Sequence, residues 1–176
     1  MTEANLKQLI RNVPDFPRSG VIFKDITPLL AHTKARDYVV SSIVDFYMSM
    51  KIDAVAAIEA RGFIFGSLIA SAMKVPFIPI RKEGKLPYKT IQQSYELEYG
   101  KSTLEIHEDA LSKDSNVLIH DDLLATGGTA MAAALLIEKL GSKVIHFSFI
   151  VNLSFLPGEQ LIVKKFNKAP HYSINY

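Results

Sequence analysis

Apolar residues recur along this chain with two spacings, and the two together predict alternating helices and strands. A repeat of three to four residues predicts amphipathic or buried helices over residues 5–13, 33–50, 62–73, 128–140 and 157–166. Short uninterrupted apolar runs predict buried strands over residues 53–58, 76–80, 116–120 and 144–151, with an edge strand at 172–174. Strands that alternate with helices favour an α/β fold, an open and mainly parallel sheet flanked by helices in right-handed crossovers.

Two stretches depart from this alternation. Residues 94–107 place apolar side chains at every second position on both sides of Gly100, which predicts a β-hairpin with its turn at Gly100 and Lys101. Pro14 and Pro17 end the first helix, and the irregular segment that follows is too apolar for a free linker. We expect that segment to pack as an ordered flap.

Composition narrows the class of protein. A chain of 176 residues predicts one domain, 1–176, and its 48% hydrophobic and 22% charged residues are typical of a soluble globular protein. A net charge of +2 disfavours a nucleic-acid partner, and the absence of cysteine excludes disulfides and thiolate chemistry. No apolar run has the length of a signal peptide or a membrane span, so a cytoplasmic protein with no membrane partner is expected.

The richest candidate chemistry lies in VLIHDDLLATGGT, residues 117–129. A buried strand ends in Asp121 and Asp122, and a glycine turn then leads directly into a helix. Glycines let successive N–H groups converge on an anion, and the positive end of the helix adds to the attraction. The turn is therefore a predicted phosphate site, with two threonine hydroxyls as further donors, and comprises Ala125, Thr126, Gly127, Gly128 and Thr129.

The two carboxylates restrict the rest of the ligand. Ionised carboxylates only accept hydrogen bonds, so Asp121 and Asp122 suit sugar hydroxyls or a hydrated divalent cation better than a second phosphate. A sugar phosphate is the simplest ligand that satisfies both parts. The alternative is a strand-to-helix connection with a polar cap and no ligand.

Two more loops leave the same edge of the predicted sheet, where ligands bind in open α/β folds. In EARG, Arg61 and the amide of Gly62 at a helix start are suited to an anion, the alternative being an ion pair between Glu59 and Arg61. The loop RKEGKLPYK, residues 81–89, is rich in basic side chains and predicts a second anion contact, unless it is simply solvated.

The motif VLIHDDLLATGGT resembles the phosphoribosyl-pyrophosphate (PRPP) motif of the type I phosphoribosyltransferases, and its DDLLATGGT form is most similar to members that act on adenine. The resemblance covers nearly the whole chain and is thinner beyond Val151. It implies a Rossmann-like sheet with an N-terminal hood, residues 1–32, and a flexible lid made of a loop and hairpin, residues 81–107. It also implies a purine-salvage reaction in which adenine and PRPP give AMP and pyrophosphate through a dissociative, oxocarbenium-like transition state.

The same resemblance implies roles for individual residues. The turn at 125–129 would hold the 5′-phosphate, and Asp121 and Asp122 would orient the ribose. Ala60, Arg61 and Gly62 would form a pyrophosphate loop, for which a non-proline cis peptide has family precedent. Two basic side chains, Arg81 and Lys85, would also contact the pyrophosphate. Catalysis would involve Arg61, the acid pair and Glu98, which the lid delivers together with Tyr99. The adenine site would comprise Ile22, Phe23, Lys24 and Leu123.

The resemblance further implies Mg²⁺, held mainly by PRPP and water with no direct protein ligand predicted, and a homodimer. Two departures stand out: Lys24 occupies a position where many relatives have arginine, and His120 one where an apolar residue is usual. A lysine cannot make a planar bidentate contact. For His120 a structural role is favoured over protonation beside the acid pair.

Two alternatives remain open from the sequence. One is a transferase for hypoxanthine, guanine or xanthine, in which Lys24 would meet the 6-oxo group. The other is a PRPP-sensing regulator without catalysis, which would need an additional DNA-binding or partner module.

Overall fold

The computed structural model describes residues 1–97 and 100–176. Glu98 and Tyr99, predicted as lid residues, lie outside the described residues. The helices are α1 (Glu3–Lys7), α2 (Thr27–Ala31), α3 (Thr33–Tyr47), α4 (Gly62–Met73), α5 (Gly128–Lys139) and α6 (Gly158–Phe166). The strands are β1 (Arg11–Pro14), β2 (Ile22–Asp25), β3 (Ala54–Ile58), β4 (Phe77–Lys82), β5 (Thr90–Leu97), β6 (Gly100–His107), β7 (Asn116–Leu124), β8 (Lys143–Asn152) and β9 (His171–Asn175).

A seven-stranded sheet organises the described part of the chain, in the order β5-β6-β4-β3-β7-β8-β9. Strands β4, β3, β7, β8 and β9 are parallel, whereas β6 pairs antiparallel with both β4 and β5. Every residue of β3 is buried, as its run of alanine, valine and isoleucine predicts for a central strand covered on both faces. The predicted mainly parallel α/β fold is confirmed.

Apolar side chains form a core on each face of this sheet. One core packs α5 and α6 against the sheet, and includes Ala133, Leu136 and Ile162. The other packs α3 and α4 together with the N-terminal segment, and includes Leu6 and Val39. The N-terminal segment is therefore part of the packed structure, as the predicted ordered flap requires.

The predicted first helix over residues 5–13 is wrong in its second half. Helix α1 ends at Lys7, and β1 begins at Arg11 and pairs antiparallel with β2, with Val13 opposite Phe23. The apolar residues at helical spacing are buried nonetheless, since Leu6 and Ile10 both lie in the core. Pairing of β1 with β2 outweighs the local helical pattern. The two-stranded ribbon pairs backbone N–H and C=O groups that would lack partners at the end of a short helix.

The predicted hairpin is present, but its turn is displaced. Gly100 and Lys101 lie inside β6, opposite Leu97 and Glu96, so the turn is not at Gly100 and Lys101. The hairpin also begins earlier than predicted, at Thr90, and extends the main sheet through the contact of β6 with β4.

No helix among the residues described is both long and apolar enough to cross a lipid bilayer.

Candidate active site

The three loops predicted to carry the chemistry meet at one edge of the sheet. They follow β3, β4 and β7, which are adjacent and parallel, so their carboxyl ends point the same way. They border a cavity of about 310 Å³ and an adjoining one of about 200 Å³. Asp121, Leu123 and Thr129 line both cavities, so the two form one cleft. This is the position at which open α/β sheets bind ligands.

The smaller cavity is formed by the predicted phosphate turn. Gly127 has φ +85°, a conformation that favours glycine, and α5 begins at the next residue. Behind the turn, the amide of Gly158 donates to the carbonyl of Ala125 at 3.0 Å. A Cβ on Gly158 would collide with that carbonyl, so α6 supports the turn only because this residue is glycine. The N-terminal N–H groups and positive end of α5 therefore lie at a small space of about 200 Å³ bordered by the turn.

The acid pair lies between the two cavities. Asp122 is only 4% exposed, and its amide donates to Oδ1 of Asp121 at 2.8 Å. A Cβ on Gly62 would stand 2.7 Å from Oδ1 of Asp121, so the start of α4 approaches the pair closely because Gly62 has no side chain. Burial, and for Asp121 the neighbouring carboxylate, raise the pKa of both aspartates. The pair binds a proton more readily than two exposed aspartates do.

Arg61 is the cationic partner of this pair. Its Nε lies 2.8 Å from Oδ2 of Asp122, and its guanidinium opposes the rise in the pKa of Asp122. The preceding peptide bond between Glu59 and Ala60 is cis, in line with the family precedent. The alternative ion pair between Glu59 and Arg61 is not formed, because each has another partner.

Glu59 instead binds the start of the basic loop. Its carboxylate accepts from Nε of Arg81 and from the amide of Lys82, both at 2.7 Å. Burial alone would raise the pKa of Glu59, but these two contacts outweigh it and the pKa is lowered. Nη1 of Arg81 also donates to the carbonyl of Lys85 at 2.9 Å. The loops after β3 and β4 are thus joined. Of the basic residues in this loop, Lys82 lines the larger cavity, whereas the predicted Arg81 and Lys85 do not.

Glu105 is a second organiser of the basic loop, and it was not identified from the sequence. It is 2% exposed, and its Oε1 accepts from the amides of Lys85 and Leu86 at 2.9 and 2.8 Å. Burial would raise its pKa, but these amide hydrogen bonds lower it overall. A glutamate between two apolar strand residues was the only available signal, and it does not reveal which loop the carboxylate binds.

At the other end of the cleft, the N-terminal segment covers Arg61. The guanidinium of Arg61 lies 4.5 Å from the ring centroid of Phe23, and Ile22 is 59% exposed beside it. Leu123 lines the cleft from β7. Lys24 points elsewhere: its Nζ is 2.8 Å from Oδ1 of Asn12 and 3.8 Å from the ring centroid of Tyr176. Leu123 therefore lines the cleft, Phe23 reaches it through its contact with Arg61, and Lys24 is engaged outside the cleft.

Tyr95 is a cleft residue for which the sequence suggested no role. It lines the larger cavity, and its hydroxyl accepts a hydrogen bond from Oγ1 of Thr129 at 3.2 Å. Lys139 of α5 also donates to the carbonyl of Gln92 at 2.9 Å. Strand β5 of the hairpin is thereby attached to the phosphate turn and to the helix that follows it.

His120 lies beneath the acid pair, inside the sheet. It is fully buried, opposite Ser148 of β8, which in turn is opposite His171 of β9. Neither ring nitrogen of His120 has a hydrogen-bond partner among the residues described. Burial, with a contribution from His171, lowers the pKa of His120 from 6.5 to about 3. The histidine is therefore neutral at physiological pH, which fits the structural role favoured from the sequence.

Comparison with known proteins agrees with this geometry. The sequence model of the phosphoribosyl transferase domain matches residues 30–161. The adenine phosphoribosyltransferase of Maridesulfovibrio salexigens is 52% identical over 155 residues, which cover 88% of this chain and 91% of that protein.

Solved structures show the same similarity. The crystal structure of adenine phosphoribosyltransferase from Thermoanaerobacter pseudethanolicus matches with a TM-score of 0.94 and 44% identity, covering 99% of this chain and 100% of that one. The APRTase from Giardia lamblia complexed with 9-deazaadenine matches with a TM-score of 0.94 and 35% identity, covering 100% of this chain and 98% of that one.

A glycine turn at a helix start, a buried acid pair and two loops with basic side chains meet at one edge of a parallel sheet, and the phosphoribosyltransferase family model matches most of the chain. The chain belongs to this family, and within it to the adenine phosphoribosyltransferases, which it matches over nearly its whole length.

Replacing Asp122 with Asn tests the buried ion pair. The substitution keeps the side chain's size and removes the charge that faces Arg61 at 2.8 Å. A hydrogen bond from the substrate to a charged carboxylate contributes about 1.5–3 kcal/mol, so we expect kcat/KM for PRPP to fall by about ten- to a hundredfold. Steady-state kinetics measure this, with Asp114→Asn as the control because Asp114 forms an exposed ion pair with Lys143. Equal kinetics for both variants would contradict the role of Asp122.

Replacing His120 with Leu tests the buried histidine through pH. The unfolded chain takes up a proton near pH 6.5, whereas native His120 does so only at about 3. Stability is therefore lost as pH falls through this interval, by up to about 1.4 kcal/mol per pH unit. We expect the Tm of the variant, followed by calorimetry, to decline less than that of the wild type between about pH 7 and pH 4. Parallel declines would show that His120 does not titrate in this way.

Proposed function

We propose that this cleft binds PRPP along the carboxyl edge of the sheet and transfers its phosphoribosyl group to adenine. The observation that carries the proposal is the convergence of a phosphate turn, a buried acid pair and a cationic loop in one cleft beneath Phe23. Each of these parts matches one part of PRPP, and the remaining apolar end matches a purine. The single-domain organisation predicted for residues 1–176 is part of the same proposal.

The 5′-phosphate of PRPP occupies the turn at 125–129, where the start of α5 supplies N–H groups and a favourable dipole. Asp121 and Asp122 then lie at the ribose, where carboxylates accept hydrogen bonds from hydroxyls. The pyrophosphate extends toward residues 60–62 and the basic loop, where Arg81 and Lys85 lie. Anchoring at the phosphate supplies binding energy that positions the reacting carbon.

In the reaction, the bond from the ribose C1′ to the pyrophosphate oxygen breaks, and a bond from C1′ to a ring nitrogen of adenine forms. The oxygen leaves with the electron pair, so positive charge develops on the ribose before the purine supplies electrons. The carboxylates of the acid pair stabilise that charge. The purine nitrogen gives up a proton as the bond forms. Glu98 is predicted to handle that proton or support the cation, and Tyr99 to accompany it in the lid.

The base site is the apolar end of the cleft. We assign the adenine ring to the space between Phe23 and Leu123, where two apolar side chains would face a flat, neutral base. Lys24 is occupied by Asn12 and Tyr176, so it does not present an ammonium group to a 6-oxo purine. This arrangement favours adenine over hypoxanthine and guanine.

Mg²⁺ is the proposed cofactor, and the donor set fits it. Magnesium usually binds to substrate phosphates, waters and one or two carboxylates. We propose that PRPP and water supply most of its ligands, with the acid pair close to the ribose; no cluster of three or more metal-binding side chains occurs among the described residues. When bound, Mg²⁺ neutralises charge on the pyrophosphate. A cytoplasmic location also remains part of the proposal, since a substrate as highly charged as PRPP crosses lipid at high cost.

AMP formation from PRPP and Mg²⁺ tests this function, with adenine, hypoxanthine and guanine assayed in parallel. We expect adenine to be consumed at least about a hundredfold faster than either oxo-purine, because a site built for one set of hydrogen bonds rejects the other. Chelation of Mg²⁺ should abolish turnover. Preference for an oxo-purine would refute the base assignment. PRPP binding without turnover would favour the regulator.

We propose that two copies of the chain form a homodimer through the exposed apolar face of α4. Ile64 and Leu68, one turn apart, are 42% and 37% exposed, and Leu68 borders a groove of about 420 Å³ against Val40 and Val44 of α3. We expect Leu68→Asp to shift the mass measured by light scattering from dimer to monomer. Val163→Asp on α6, where Val163 is 38% exposed, is the matched control. A monomeric wild type, or a dimeric Leu68→Asp variant, would contradict this assignment.

A further inference from the structure

The N-terminal segment that carries Ile22 and Phe23 is attached to the residues at and just after the end of β9. The amide of Asn175 donates to Oε1 of Glu3 at 2.9 Å, and Glu3 also pairs with Lys7 at 3.0 Å. Nζ of Lys7 lies 5.4 Å from the ring centroid of Tyr176. These contacts attach α1 to the end of β9, the last strand at one edge of the sheet.

Tyr176 is the fixed part of this attachment. Its amide donates to the carbonyl of Asn152 at 2.9 Å, and its carbonyl accepts from the amide and hydroxyl of Ser154 at 2.8 and 2.5 Å. Its ring is partly buried against the core that packs on α3 and α4. The backbone of Tyr176 is therefore bonded to the end of β8, and the ring is directed toward the N-terminal ribbon.

Lys24 is the point at which the ribbon meets Tyr176. Its Nζ lies 3.8 Å from the ring centroid, over the aromatic face, and donates to Oδ1 of Asn12 at 2.8 Å. An ammonium at this distance is attracted by the ring's quadrupole. Asn12 is also the β1 residue opposite Lys24, so the side-chain contact reinforces the pairing of the two strands.

Phe23, the residue before Lys24, connects this contact to the cleft. Phe23 directly precedes Lys24 in β2, and side chains alternate across a strand, so Phe23 projects away from Tyr176 and over Arg61. Movement of Lys24 therefore moves Phe23 relative to the base site. The backbone of Tyr176 is bonded to Asn152, which lies opposite Leu124 just before the 5′-phosphate turn. The ring of Tyr176 contacts Lys24 and Lys7 instead, so a change of its side chain acts on the ribbon and leaves that backbone pairing in place.

We propose that Tyr176 is a positioning residue for the purine base, acting through Lys24 to hold Phe23 over the cleft. The inference rests on the proposed function, because it assigns Phe23 to the base. The ring of Tyr176 contacts Lys7 and Lys24, neither of which lines the cleft, so we expect its effect on base affinity and not on binding of the phosphate or pyrophosphate.

Calorimetric binding of AMP and of ribose 5-phosphate tests this inference, because the two ligands share the phosphate and ribose and only AMP carries the base. We expect Tyr176→Leu to weaken AMP binding by about three- to tenfold and to leave ribose 5-phosphate binding unchanged. Tyr176→Phe retains an aromatic face and should bind AMP like the wild type. In kinetics, Tyr176→Leu should raise KM for adenine and leave KM for PRPP unchanged.

Lys24→Met is the second variant. It removes the same contact from the β2 side and leaves the packing of Tyr176 after β9 in place. It should weaken AMP binding as Tyr176→Leu does, and the double variant should be no weaker than either single one, because both remove the same contact. Additive losses, equal weakening of both ligands, or an unchanged AMP affinity in Tyr176→Leu would overturn the inference. A wild type that binds neither ligand would instead refute the proposed function.

Discussion

The ion pair between Arg61 and Asp122 is the interaction on which the rest of the site depends. Burial removes hydration from both adjacent carboxylates and raises the pKa of both, and for Asp121 the charge of Asp122 adds to the rise. The guanidinium of Arg61, 2.8 Å from Asp122, offsets part of this cost. Arg61 also lies beneath Phe23, so one side chain connects the acid pair, the loop after β3 and the N-terminal ribbon.

This arrangement requires unusually close backbone approaches, and glycine provides them at two positions. Without a Cβ at Gly62, α4 begins directly against Asp121, which brings Arg61 within reach of Asp122. Without a Cβ at Gly158, α6 packs against the carbonyl of Ala125 and supports the phosphate turn from behind. The parallel order of β4, β3 and β7 then aligns the three loops on one edge. A substrate with charge at both ends and a neutral centre matches that edge.

The N-terminal ribbon closes the cleft from outside the sheet, and its position is determined by distant residues. Its strands pair only with each other among the residues described, so its attachment depends on side chains packed in the core and on residues at the end of β9. The contacts of Lys24 with Asn12 and Tyr176 give this lysine a structural role at a position where the resemblance suggested an arginine. A planar guanidinium makes different contacts from an ammonium held over an aromatic face.

Local sequence determined the features whose causes are local. The bounds of α4 were predicted at 62–73 and are Gly62–Met73, because a continuous apolar helix pattern follows a polar turn. The glycine turn and the helix that follows it were also predictable, since each depends on neighbouring residues; the strand before them was predicted to end at residue 120 but continues through the acid pair to Leu124.

The tertiary structure decided which partners those residues have. It placed residues 11–14 in a strand and not in the predicted helix, paired Arg61 with Asp122 and Glu59 with Arg81, and brought Glu105 and Tyr95 to the site. Each of these outcomes joins residues distant in sequence or chooses between nearby partners. Only the register of the sheet and the packing of α4 and α5 onto it bring the correct pairs within bonding distance, and no local pattern encodes that choice.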